Sequence, residues 1–145
     1  MKRLRGWLSI PVILFGLIAC SGSSDSGATL NMNGTWMIYP SSTSTAVVFN
    51  NFRVTLQQSG ASVIATSVTR STPPGTVACS SGQMTLSGAV SGNKFNGILQ
   101  TNSHQASFAL SGTSSSMSGT FTMTISRGPC AGAGTVTGTA TMAKI

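Results

Sequence analysis

The side chains able to do covalent or acid–base chemistry are few: Cys20, Cys79, Cys130, a single histidine, His104, and a single carboxylate, Asp25, in a chain of 145 residues. Paired catalytic carboxylates, a Ser/His/Asp triad or a carboxylate metal cage would need groups that the chain beyond Asp25 does not contain. Hydroxyls are plentiful, but His104 is the only conventional base that could activate one. Two cysteines and a distant histidine also lack zinc-type spacing. The expectation is a protein that is not an enzyme and uses no cofactor and no metal. Eight Lys and Arg against the one acid give a formal charge of +7. Beyond Lys2, Arg3 and Arg5 the basic residues Arg53, Arg70, Lys94, Arg127 and Lys144 are dispersed, and the aromatics keep to apolar positions. No basic run or basic–aromatic stripe supports nucleic-acid binding.

The first residues form an address. A basic start is followed by an apolar run from Trp7 to Ile18 and a small-residue junction, Ala19, before Cys20. This is the layout of a secretory signal. The run contains Pro11 and is shorter than the roughly 20 residues that cross a bilayer core. Leu17-Ile18-Ala19-Cys20 resembles the lipobox of bacterial lipoproteins. The resemblance implies a signal peptide over residues 1–19 and acylation of Cys20, the new first residue. Ser21 stands where an aspartate would favour inner-membrane retention, so an outer-membrane destination is implied. Several acyl chains, at about 0.8 kcal/mol per buried methylene, would anchor the protein stably. The Ser/Gly stretch after Cys20 has too little apolar surface to offset its ordering entropy, so residues 20–30 read as the acylated cysteine and a flexible tether. Asn33-Gly34-Thr35 matches a glycosylation sequon that a bacterial lipoprotein would not use.

Residues 31–145 read as one domain. They are rich in Ser, Thr and Gly and thin in large apolar residues, but charge is too scarce for disorder. Only 6% of the chain is charged. The apolar residues also alternate. Phe121, Met123 and Ile125 share one parity with Thr120, Thr122 and Thr124 between them, and Val136, Ala140 and Met142 repeat the pattern. Period two with threonine on the other face predicts half-buried strands. The candidates are residues 34–39, 46–57, 61–69, 83–90, 93–100, 104–110, 117–126 and 134–143. Ser59-Gly60, Ser91-Gly92, Ser111-Gly112, Pro73-Pro74-Gly75 and Gly128-Pro129 supply turn chemistry between them.

The predicted fold is all-β: an antiparallel up-and-down meander of about eight strands, closed or nearly closed into a barrel, with an open sheet or β-sandwich as the alternative. Closure removes exposed edges, and Gly88, Gly97, Gly119 and Gly138 permit the coiling it requires. The outward parity carries Thr, Ser and Asn, with no apolar or aromatic girdle for a membrane-spanning barrel. Gly34-Thr35-Trp36, opening the first strand, resembles the G-x-W motif of lipocalins. That resemblance implies a lipocalin-like barrel in which Trp36 closes the floor. The chain lacks a clear N-terminal 3₁₀ helix and the C-terminal helix usual in that family, and Lys144 is the candidate for the basic residue that packs over the family's tryptophan.

In an up-and-down barrel alternate connections share an end. Cys79 and Cys130 fall in connections three and seven, hence at one end, and in an oxidising compartment they are expected to form a disulfide. Such a bridge would contribute about 4 kcal/mol in the chain-entropy model. The longer connections mark this end as the mouth, facing away from the tether. Arg70, Arg127 and His104 lie near it, and Phe108, Phe121 and Met123 point inward beneath it. Together with Trp36 they form a candidate ligand site, in which cations would receive an anionic head while an apolar tail enters the barrel. Two functions remain open. One is an outer-membrane lipoprotein binding a small apolar or amphipathic molecule. The other is a structural or accessory envelope lipoprotein whose packed barrel displays loops to a protein partner.

Overall fold

The structure, a computed structural model, describes residues 30–42, 49–71, 82–128 and 130–145. The signal segment, Cys20, the tether up to residue 29 and Cys79 lie outside the described residues. Eight strands follow in chain order: β1 (Gly34–Ser41), β2 (Asn51–Ser59), β3 (Ser62–Ser71), β4 (Thr85–Ser91), β5 (Lys94–Gln100), β6 (His104–Gly112), β7 (Ser116–Ile125) and β8 (Thr135–Lys144). Each pairs antiparallel with the next, and β8 returns to β1, so the meander closes into a barrel and excludes the open sheet and the sandwich. A single 3₁₀ turn at Ala131–Ala133 is the only helical element among the described residues.

Alternation drives this closure. Along β6, His104, Ala106, Phe108 and Leu110 are buried while the intervening residues are exposed, and β5 and β7 repeat the pattern. The inward side chains meet in one core containing Trp36, Ile38, Val54, Leu86, Phe95, Leu99, Phe108, Phe121, Val136 and Met142. Closing so small a barrel forces neighbouring strands close together on the inside. A Cβ added to Gly119 would sit 2.0 Å from the carbonyl oxygen of Ala109, so no larger residue fits there without moving the backbone.

The two ends differ. At the floor, where β1 begins, the connections are tight. Ser59 pairs with Ser62 and Ser91 with Lys94, each turning through a glycine with positive φ. Residues Leu30–Asn33 cross beneath the barrel as a strap. The Leu30 amide donates to the Gly92 carbonyl (3.3 Å), the Asn31 amide to Ser114 Oγ (3.0 Å) and the Met32 amide to Gln58 Oε1 (2.7 Å), and the Gln58 amide donates back to Asn33 Oδ1 (2.8 Å). Leu30 and Met32 are buried, extending the core downward. The chain turns from strap to strand at Gly34, whose φ of 115° only glycine adopts readily. Fully buried Trp36 donates its indole N–H to the Met32 carbonyl at 2.9 Å, and the Lys144 ammonium lies 5.7 Å from its ring centroid. The described chain therefore starts at the floor, and the longer connections lie at the opposite end.

Candidate functional site

The wall between floor and mouth contains one irregularity that decides what lines the lumen. In the β2–β3 ladder, Leu56 pairs with Ala65 but Thr55 pairs with Ser67, leaving Thr66 as an extra residue. Up to that bulge the inward residues of β3 are Val63 and Ala65, and beyond it they are Val68 and Arg70. Arg70 stands opposite the buried Phe52, so its side chain starts on the inner face instead of the outer one. A bulge of one residue re-aims everything that follows it along the strand. The sequence reading placed Arg70 beyond the end of a strand at residues 61–69, whereas the strand runs on to Ser71 and carries Arg70 within it.

His104 occupies the mouth end of β6, three strands further round the wall, and only 6% of it is exposed. A short hairpin holds it in place. Thr101 Oγ1 accepts the amides of Ser103 (3.1 Å) and His104 (3.0 Å), the Thr101 amide donates to the His104 carbonyl (2.9 Å), and Ser103 Oγ is hydrogen-bonded to His104 Nδ1 at 2.9 Å. Burial lowers the pKa of His104, the nearby Arg70 guanidinium lowers it further, and a hydrogen bond with the Ser103 backbone opposes them. Arg70 thus contributes its positive charge to the electrostatic surroundings of His104.

The third member of this cluster is Asn50, immediately before β2. It continues the inward parity of Phe52, Val54 and Leu56 and is 6% exposed. Its Oδ1 is buried with no hydrogen-bond partner. A buried acceptor left unsatisfied is costly, and a donor on a bound molecule would relieve it. Sequence reading missed Asn50, whose polar type gives no sign of burial. The only available signal was its parity with Phe52.

The other predicted residues are distributed differently. Phe108, Phe121 and Met123 are buried in successive layers of the β6–β7 ladder: Phe108 opposite Phe121, Ala106 opposite Met123, and His104 opposite Ile125 at the top. The Phe49 ring packs edge-on to Phe121 at 5.0 Å, beneath the mouth. Arg127 lies at the mouth rim with its amide on the Ser103 carbonyl (3.3 Å), but its side chain is exposed. Trp36 belongs to the opposite end of the barrel and does not join the cluster. Met84, within the candidate strand at residues 83–90, precedes β4 and is half-buried against the core. Cys130 is disulfide-bonded, with its partner outside the described residues. Among the described residues no group of His, Cys, Asp and Glu could hold a metal ion.

Concavities mark the wall, two of them the larger among the described residues. One of about 500 Å³ lies on the outer face of β4–β7, lined by residues that include Ser87, Ala89, Asn96, Ile98, Ser107 and Ala109, with Ile98 42% exposed. The other, about 290 Å³, lies between Ala65–Val68 of β3 and Gly82–Thr85 at the start of β4.

The closed eight-stranded barrel is compatible with a lipocalin-like fold. The chain matches no protein-family model and no curated protein.

Proposed function

We propose that this protein is a non-enzymatic, lipid-anchored lipoprotein of the bacterial outer membrane whose barrel binds a small amphipathic molecule with its polar head at the mouth. The observation that carries the reading is the inward convergence of Arg70, His104 and Asn50 at one end of an otherwise apolar lumen. A site combining an apolar lining with a few convergent polar groups is the usual make-up of a small-molecule pocket. Acylation of Cys20 would attach the floor end to the membrane through the tether and turn the mouth away from it. A Cys79–Cys130 bridge would tie the connection after β3 to the connection before β8. A second reading is favoured by the apolar outer groove around Ile98, which would suit the accessory role of displaying a surface to an envelope protein.

Native mass spectrometry tests the first reading on the chain from Ser21 onward, secreted into an oxidising periplasm and purified without reductant. A reproducible adduct of small-molecule mass, released on denaturation and lost in an Arg70→Gln variant, is the expected result. A clean apo mass overturns it in favour of the accessory role. The same spectrum reads the bridge as an intact mass about two units below the fully reduced value.

A further inference from the structure

Between β3 and β4 the barrel wall is incomplete. The ladder joins Ser62, Val63 and Ile64 to Ala89, Gly88 and Ser87, and among the described residues it goes no further. Above it, Ala65–Ser71 continue paired to β2 on one side, while Thr85 and Leu86 continue paired to β5 on the other. The opening between these two edges is the concavity of about 290 Å³. Its lining separates by depth. Thr66, Ser67, Gln83 and Thr85 form a polar lip, whereas Ala65, Val68 and Met84 are half-buried hydrophobic residues packed on the core. The seam thus exposes the flank of the core through the wall.

The bulge at Thr66 ties this seam to the mouth. Because it turns both Val68 and Arg70 inward, an apolar floor and a guanidinium follow one another on the same face of the same strand, two residues apart. His104, inward at the same end of the barrel, adds an imidazole whose Nδ1 is held by Ser103 Oγ at 2.9 Å. Beyond the signal segment, five basic side chains against one acidic one favour a negative head group over a positive one.

We propose that the β3–β4 seam is the tail-binding subsite of this protein: a straight-chain amphiphile with an anionic head lies with its alkyl chain against Ala65, Val68 and Met84 and its head at Arg70 and His104. This rests on the mouth as the head-group site and adds the route of the tail, through the wall instead of down the filled lumen. An alkyl chain suits the base of the seam because Ala65, Val68 and Met84 offer apolar burial there, while the polar lip can stay in contact with water. The head suits the mouth because a planar guanidinium receives a carboxylate or phosphate in bidentate fashion.

Isothermal titration calorimetry with hexanoate, octanoate, decanoate and decyl phosphate, each below its micellar concentration, tests this on the chain from Ser21 onward. Affinity is expected to tighten along the carboxylate series, approaching about fourfold per added methylene while the tail still finds apolar surface. Decanol should bind about tenfold or more weakly than decanoate, and Arg70→Gln should erase that difference. Comparing decanoate with decyl phosphate identifies which anion the head subsite prefers. Ala65→Phe, which fills the seam, should abolish the chain-length dependence. Should that variant fail to fold, Ala65→Ser replaces it, expected to weaken decanoate while leaving hexanoate, whose shorter tail ends near Val68, nearly unchanged. If chain-length dependence survives both seam variants while Arg70→Gln still weakens binding, the seam is overturned and the mouth reading stands. If decanoate and decanol bind alike and Arg70→Gln changes nothing, the mouth reading falls. If no probe binds but a co-purified adduct persists in Ala65→Phe, the seam falls alone. No binding and no adduct overturn both.

Discussion

The floor and the mouth of this barrel are built from the same eight strands, yet they solve opposite problems. At the floor, short turns, the Leu30–Asn33 strap and the Trp36 indole satisfy polar groups while burying apolar ones. Lys144 lies over the Trp36 ring without desolvating its charge. At the mouth, an unsatisfied Asn50 oxygen, a histidine with a lowered pKa and an arginine turned inward by a bulge sit at the top of the core. Arrangements that reduce stability concentrate at the mouth, where the proposed binding would require them, and the opposite end holds the fold together.

That contrast can be broken most directly at Trp36. Replacing it with alanine removes the central floor side chain and should lower unfolding free energy by about 3–5 kcal/mol in denaturant titrations. A comparable loss from any single mouth substitution would show that the ends do not divide the work. Deleting Thr66 is the next largest test. It removes the extra residue and leaves a regular ladder in which Val68 and Arg70 keep their inward faces, and should cost only about 1 kcal/mol through loss of the local twist. The diagnostic readout is the His104 titration by NMR: with Arg70 still on the inner face, its pKa should stay below the ordinary value, and a rise would show that the deletion had shifted the register.

Asn50→Leu should move stability the other way. Removing a buried acceptor that has no partner is expected to stabilise the apo protein by about 1 kcal/mol while weakening ligand binding. A destabilised variant would mean that Asn50 is better satisfied than its geometry indicates. Lys144→Ala sharpens the floor side of the comparison by a smaller amount, about 0.5–1 kcal/mol, through loss of the contact with the Trp36 ring. The subtlest prediction is the pH dependence. His104 has a native pKa below its ordinary value of 6.5. The unfolded chain therefore takes up a proton first as pH falls. The associated stability is complete above pH 6.5, declines below it and is lost once pH has fallen through the lowered native value. Arg70→Gln should raise the native pKa and narrow this window. With one carboxylate side chain in the whole sequence, little else in the protein would obscure the step.

Much of the fold was legible because it depends on alternation. Phe121, Met123 and Ile125 against Thr120, Thr122 and Thr124 assign a face to each residue of β7 without knowledge of its neighbours, and those faces are the ones observed. The strand boundaries drifted at β2, β3 and β4, where turn residues do not frame the pattern. Positions such as Phe52 and Val63, buried beside polar neighbours, were harder to assign than the regular runs of β6 and β7. The candidate site was legible only in part. His104 shares its parity with Ala106, Phe108 and Leu110, which pointed it inward, whereas Arg127 had no pattern to place it and its side chain proved exposed.

The sequence by itself determined the strand content, the meander order and the near absence of negative charge, because these follow from local residue types and short connections. Only the tertiary structure decided that β8 closes on β1, that Leu30–Asn33 plugs the floor, and that Lys144 covers Trp36. It alone also decided that Thr66 is squeezed out of the β2–β3 ladder. A bulge is a disagreement between two strands over register, and no single strand's sequence contains it. The orientation of Arg70, and with it the chemistry of the mouth, was therefore fixed by pairing between residues that are distant along the chain.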